Sequence, residues 1–257
     1  MTAPVLTARD IRMRFAGILA LDQAGIEVGA GERVGLIGPN GAGKTTLFNC
    51  LLGVLRPSEG TVELDGQDIT GLPVHERARR GIGRTFQRIE LFPGATVREH
   101  LLIADRMQRG RRSLWRDLVG LGRPHPDEVA RCDAVLERLG LAALADAPIE
   151  RLSLGQGRLV EVGRALMTEP KVLLLDEPSS GLDRDETAAL ADTLLAVQRE
   201  HGFAILLVEH DIELVSTFTS RAYVLEFGRM LRDGPTAEVM ASDEVRRAYF
   251  GDLGATG

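Results

Sequence analysis

Lysine is almost missing from this chain. It has 257 residues and 31 Lys plus Arg, yet only Lys44 and Lys171 are lysines. Arginine supplies positive charge nearly everywhere else, so each lysine asks for a reason specific to lysine. Long apolar runs are missing too. None approaches the ~18 residues that span a bilayer, and the longest, such as FAILLV at 203–208, have the length of buried strands. The opening MTAPVLTARD has no basic region followed by an apolar one, so no signal peptide is expected there. Cysteine is scarce: Cys50 and Cys132 make no CxxC pair and suggest no disulfide framework. Both are expected to be buried reduced thiols. A surplus of positive charge is also lacking. The formal net charge is -6, which argues against a general nucleic-acid binder. There are no repeats, low-complexity tracts or heptad runs. What remains is an ordinary soluble balance, 44% hydrophobic and 26% charged, with enough chain for one large domain or two small ones. A cytoplasmic protein is expected.

The pattern along the chain alternates strands and helices. IRMRF (11–15) sets Ile11, Met13 and Phe15 against Arg12 and Arg14, a half-buried strand. ERVGLIG (32–38) reads as a buried strand running into a glycine-rich turn, and KTTLFNCLLG (44–53) as a helix ended by Gly53. GTVELDGQDI (60–69) reads as a hairpin turning at Asp65-Gly66. From about Val97 to Leu139 the chain is mainly helical and rich in arginine, broken by LGRPHP at 121–126; this reads as a helical insertion. Buried strands resume at 171–177 and 203–210, with a helix over 184–200 between them and a hairpin over 221–234 turning at Gly228. Such alternation implies a mostly parallel sheet covered on both faces.

GPNGAGKTT (38–46) carries the sharpest signal. The spacing Gly38-x4-Gly43-Lys44-Thr45 between a strand and a helix is that of a phosphate-binding loop. Glycines let the backbone curl until successive N–H groups face phosphate oxygens, and the following helix adds its positive end. Lys44 is the compact charge such a cradle admits, reaching the β and γ phosphates where the wide fork of arginine would not fit. Thr45 would offer its hydroxyl to magnesium. Asp176 and Glu177 end the buried strand VLLLDE, where α/β proteins bind ligands. Asp176 suits a magnesium-holding acid and Glu177 a base for the attacking water. His210 ends the next buried strand and is placed to touch a γ-phosphate. Gln87 in GRTFQ is either a surface amide or a magnesium and nucleotide sensor.

These residues occur in the order of the ATP-binding cassette family, which the sequence resembles over essentially its whole length. The resemblance implies an α/β fold: a P-loop NTPase with a RecA-like parallel sheet core, an antiparallel β subdomain and an inserted helical subdomain. Residues 1–95 and 167–257 would form the nucleotide-binding core and 96–166 the helical subdomain. Phe15 corresponds to the aromatic that stacks on adenine. Gly38, Pro39, Asn40, Gly41, Ala42, Gly43, Lys44 and Thr45 make the Walker A loop, and Thr46 after it joins the nucleotide-binding residues. Gln87 is the Q-loop glutamine, Asp176 and Glu177 the Walker B pair, and His210 the switch histidine. SSGLD (179–183) is similar to the D-loop, with Asp183 at its end. LSLGQ (152–156) resembles the signature LSGGQ, supplying Ser153, Gly155 and Gln156, with Leu154 where the family has glycine. The helix that Ser153 starts, expected over 155–168, can face a phosphate.

The finer resemblance is to the importer branch for branched-chain and other hydrophobic amino acids. It rests on RTFQRIELFPGATVREHLLIA (84–104), LVEHDIELV (207–215) and the closing AYFG (248–251). It implies ATP and Mg2+ as ligands and ATP hydrolysis coupled to transport. The implied partners are a second, homologous or identical ATPase subunit head to tail, two transmembrane permeases and an extracytoplasmic solute-binding protein, with no nucleic acid. The implied location is the cytoplasmic face of the membrane, as a peripheral protein. Relatives serving urea, amides or aromatic acids, or exporting lipopolysaccharide, share these motifs, a non-transport ABC ATPase is the remaining alternative, and the transported substrate is not read by this subunit. The arginines at 106–116, around Leu114 and Trp115, read first as a solvated face and second as a patch for acidic loops or lipid headgroups.

Overall fold

Strand β3 (Arg33–Ile37) is RVGLI, four of its five residues buried. It lies in the interior of a sheet, between strands whose middle residues are also buried. The computed structural model describes residues 3–85, 92–109 and 124–250. Within them a six-stranded sheet runs in the order β10 (Arg229–Pro235), β9 (Arg221–Glu226), β3, β8 (Ala204–Val208), β7 (Val172–Asp176) and β6 (Ile82–Arg84). Pairings β9–β3, β3–β8 and β8–β7 are parallel; β10 joins β9 antiparallel. Continuous apolar sequence is what a parallel strand needs when both its faces are covered, and all five residues of β8 are buried.

Contacts divide the chain into two compact units. The first comprises Met1–Ile82, Lys171–Glu177 and Gly202–Gly257. It contains most of the six-stranded sheet and a second, antiparallel sheet ordered β2 (Ile18–Gly29), β1 (Pro4–Phe15), β4 (Glu59–Leu64), β5 (Gln67–Asp68). Helix α1 (Lys44–Leu52) buries Leu47, Phe48 and Leu51 in a core that also takes Leu6 and Ile11 of β1, Leu36 of β3 and Leu206 of β8. On the opposite face of β3, a Cβ placed on Gly35 would lie 3.1 Å from Val215 of helix α7 (Ile212–Phe218), so the missing side chain is what lets that helix approach. Two hairpins turn on paired left-handed residues, Asp65-Gly66 at φ +50° and +73° and Phe227-Gly228 at φ +46° and +78°. Both match the two-residue turn whose twist suits antiparallel strands. The alternation in β1 fades toward its turn: Ile11 is fully buried, Met13 half-buried and Phe15 exposed, because repeated register shifts against β2 rotate the strand end outward. Helices α2 (Val74–Arg80), α8 (Thr236–Ala241) and α9 (Asp243–Phe250) complete this unit.

The second unit comprises Gly83–Pro170 and Pro178–His201. Its described helices are α3 (Val97–Gln108), α4 (Pro126–Arg138), α5 (Leu154–Leu166) and α6 (Arg184–His201). Three of them converge on Gly163 of α5, where a Cβ would meet Leu139 at 2.9 Å and Leu101 of α3 at 3.4 Å. Helix α5 begins one residue before the expected 155 and ends two before 168: Ser153 caps it, which makes Leu154 the first helical residue. Asp105 is fully buried in α3, where Arg131 of α4 donates to it at 2.6 Å and Arg109 at 2.9 Å.

Candidate nucleotide-binding site

The loop from β3 to α1 is shaped by three glycines with positive φ: Gly38 at +149°, Gly41 at +80° and Gly43 at +105°. A Cβ on Gly38 would lie 2.0 Å from the Leu225 carbonyl oxygen, and one on Gly43 would lie 2.8 Å from that of Ala20. One on Gly41 would meet nothing within 4 Å, so that residue faces open space. Gly43 is the N-cap of α1 and offers no side chain, and no acid stands in the helix's first turn. The positive end of α1 is thus left uncompensated by the chain itself. Lys44 is 7% exposed, and its ammonium donates to the carbonyls of Gly38 at 2.6 Å and Pro39 at 3.1 Å. Burial lowers its pKa, while the charges of Glu177 and Asp176 raise it. The lysine therefore curls inside its own loop, within the field of both acids. Asn40 and Thr45 are exposed, Ala42 is buried, and Pro39 and Thr46 lie between.

Asp176 closes β7, and Glu177 follows in the left-handed region at φ +46°, its N–H donating to the Val208 carbonyl at 2.9 Å. A non-glycine residue held there carries backbone strain, and such strain gathers at functional sites. One carboxylate oxygen of Glu177 lies 3.8 Å from Nδ1 of His210. That imidazole is 59% exposed, while the Asp211 side chain behind it caps α7 by accepting from the N–H groups of Glu213 and Leu214. Glu209 is fully buried and accepts from the His210 N–H at 3.1 Å. Sequence reasoning passed over Glu209; an acid ending five apolar residues was the available signal. Phe15, 42% exposed, stands just before the Ala16-Gly17 turn with its ring accessible. So the first unit holds Phe15, the loop 38–46, Asp176, Glu177 and His210. Gln87 lies outside the described residues, as do positions 110–116 of the arginine-rich stretch; Arg106, within α3, is paired with Glu128 at 3.0 Å.

No group of three or more His, Cys, Asp or Glu that could hold a metal occurs among the described residues. A magnesium ion that arrives with a nucleotide takes one or two protein oxygens besides the phosphates. The exposed Thr45 hydroxyl and the partly exposed Asp176 carboxylate are hard oxygen donors of the fitting kind.

The second unit carries the other motif. Ser153 accepts from the Gln156 N–H at 3.2 Å, and Gln156 accepts from the Ser153 N–H at 2.9 Å, a capping box that starts α5. Gly155 lies over Glu186 of α6, and Leu154 lies over Gly181, where a Cβ would approach it to 2.9 Å. The leucine thus stands against the one residue of SSGLD that has no side chain. Arg158 pairs with Glu161 at 3.2 Å, both buried, and donates to the Ser180 carbonyl at 3.3 Å, tying the signature helix to the loop that follows the acids. Asp183 and Glu186 exchange hydrogen bonds at the start of α6.

A model of the ABC transporter family matches residues 21–180. The chain is 39% identical over 255 residues to the high-affinity branched-chain amino acid transport ATP-binding protein LivG of Escherichia coli K12, covering 98% of this chain and all of the relative. It is 37% identical to BraF of Pseudomonas aeruginosa, described in the same words, covering 98% of this chain and all of BraF. It is 32% identical to the lipopolysaccharide export system ATP-binding protein LptB of Haemophilus influenzae, covering 96% and 98%. Among solved structures, the ADP conformation of MJ1267, an ATP-binding cassette of an ABC transporter, superposes with a TM-score of 0.87 at 32% identity, covering 97% of this chain and all of that one. The chain belongs to the ABC transporter family, and it is an ATPase of that family with the α/β fold of its ATP-binding cassettes.

Proposed function

We propose that this protein is the ATP-hydrolysing motor of a membrane importer for branched-chain or other hydrophobic amino acids. The observation that carries the reading is the identity to LivG and BraF across their entire lengths. Export is the second reading, favoured by the likeness to LptB. No helix among the described residues is long and apolar enough to cross a membrane, so coupling to transport requires permease subunits, two by this reading. The protein would sit on the cytoplasmic face, with a second ATPase subunit and an extracytoplasmic solute-binding protein completing the system. Residues 1–95 and 167–257 would act as the nucleotide-binding core and 96–166 as the helical subdomain.

ATP enters with its adenine against Phe15 and its phosphates over residues 38–46. Lys44 exchanges the carbonyls of Gly38 and Pro39 for the β and γ phosphates. Thr45 and Asp176, with Gln87, would hold magnesium, which supplies positive charge to the phosphate oxygens. Glu177 orients water in line with the γ-phosphorus. The water oxygen bonds to that phosphorus, its proton passes to Glu177, and the bond to the β-phosphate oxygen breaks, releasing ADP and phosphate. His210, beside Glu177, contacts the γ-phosphate. Ser153 and Gly155 of a second subunit, at the positive start of its α5, close over the same phosphate, with Gln156 and Asp183 at the seam. Because both halves grip the γ-phosphate, closure needs ATP and opening follows hydrolysis. Purification of the tagged protein from its native membranes in mild detergent tests the reading. Two multi-span proteins with a solute-binding protein are expected. Membrane partners without a binding protein would favour export, and soluble partners alone would overturn transport.

A further inference from the structure

The closing stretch AYFG has no part in the mechanism above, yet it reaches the phosphate loop. The Tyr249 hydroxyl on α9 accepts a hydrogen bond from the Gly38 N–H at 2.5 Å, across 211 residues of sequence. Gly38 is the pivot of the loop. Its φ of +149° turns the chain, a Cβ there would collide with Leu225, and its carbonyl holds Lys44. Its N–H is buried with the rest of the residue and needs a partner. Tyr249 is itself firmly based. Ser242 accepts from the Val245 N–H at 3.2 Å at the start of α9, and Val245 is buried. The preceding helix α8 is fixed to the sheet by Thr236, whose N–H donates to the Ser220 carbonyl and whose hydroxyl meets that of Thr219 at 2.9 Å. Burial pushes the Tyr249 phenol up to about 12, so it stays a neutral hydroxyl.

The geometry points to Tyr249 as a positioning residue: its hydroxyl fixes the first glycine of the phosphate loop, making the C-terminal helix a strut for nucleotide binding. The inference rests on the reading that residues 38–46 hold the phosphates. When phosphates draw Lys44 away from the Gly38 carbonyl, the residue loses the side-chain contact on its C-terminal peptide, and the Tyr249 contact on its N-terminal peptide remains. The strut therefore matters most in the nucleotide-bound state.

The test compares wild type, Tyr249→Phe and Lys44→Ala by titration with fluorescent ATP and ADP, alongside melting of the nucleotide-free proteins and ATP turnover of the transporter complex. Tyr249→Phe is expected to weaken both nucleotides by about three- to tenfold, the effect of one hydrogen bond. KM for ATP should rise in step while kcat stays within about twofold, and the nucleotide-free melting temperature should fall by only a few degrees, the cost of leaving the buried Gly38 N–H without its partner. Unchanged affinity overturns the inference, and so does an affinity loss accompanied by a large drop in melting temperature, which marks a structural role. Its failure is distinct from failure of the phosphate-loop reading. That reading falls, and this inference with it, if wild type binds no nucleotide or Lys44→Ala binds as tightly as wild type.

Discussion

At the scale of single residues, the protein spends one of its two lysines where only a lysine serves. Lys44 is buried, held by two carbonyls of its own loop, and faces the charges of Glu177 and Asp176. Replacing it by alanine should weaken ATP binding by roughly 10- to 100-fold, the range for hydrogen bonds to a charged group. Titration with fluorescent nucleotide measures this. The loop was legible in sequence because its signal is local: glycines, lysine and threonine within eight positions. Tyr249 was not, because its partner Gly38 lies at the other end of the chain and only the fold brings them together. The cysteines were also legible. Cys50 and Cys132 are both free and buried, and desolvation pushes each thiol up to about 11. Neither should react with a thiol reagent in the native protein at mildly alkaline pH, and both should react at once in denaturant; rapid native labelling would contradict the packing around them.

At the scale of elements, helix α5 joins two motifs that the sequence separates. Its buried Arg158 pairs with Glu161 and reaches the Ser180 carbonyl. Arg158→Ala takes the guanidinium away from the buried Glu161 carboxylate, so a loss of about 3–5 kcal/mol is expected in chemical denaturation. The LSLGQ signature marked this helix but not its ion pair, because a charged residue gives no sign of burial until its partner is placed. Helix α3 carries a different dependence. His100 is fully buried, with its Nε2 accepting from the Phe92 N–H at 2.8 Å and Nδ1 at 2.8 Å from the Thr96 carbonyl. Burial foremost, with Arg164 adding to it, lowers its pKa against the opposing effects of the Thr96 carbonyl, Glu99 and Glu150. The unfolded chain then takes up the proton first, so this contribution is full above the unfolded value of 6.5 and is lost as pH falls from there toward the folded value. Denaturant melts between about pH 7 and pH 5 should show stability falling with acid, and less steeply in His100→Gln. Equal slopes would contradict a buried neutral imidazole.

At the scale of the whole molecule, the alternation of buried strands and helices was enough to foresee a parallel sheet, and Asp65-Gly66 and Gly228 located two hairpins, the second of which also turns on Phe227. Strand order was not legible, because β3 lies between β8 and β9, strands about 170 and 190 residues later, and no local pattern encodes such neighbours. The chain's two compact units each carry part of the proposed chemistry: the phosphate loop, Asp176, Glu177 and His210 in one, the signature helix and Asp183 in the other. Hydrolysis is the step on which the account stands, and Glu177 is the residue assigned to it. The decisive measurement is ATP turnover and nucleotide occupancy of the transporter complex bearing Glu177→Gln. Loss of a general base predicts turnover lower by roughly 10²- to 10⁴-fold with ATP still bound. Turnover at the wild-type rate would contradict the assignment of Glu177 and, with it, the mechanism built around it.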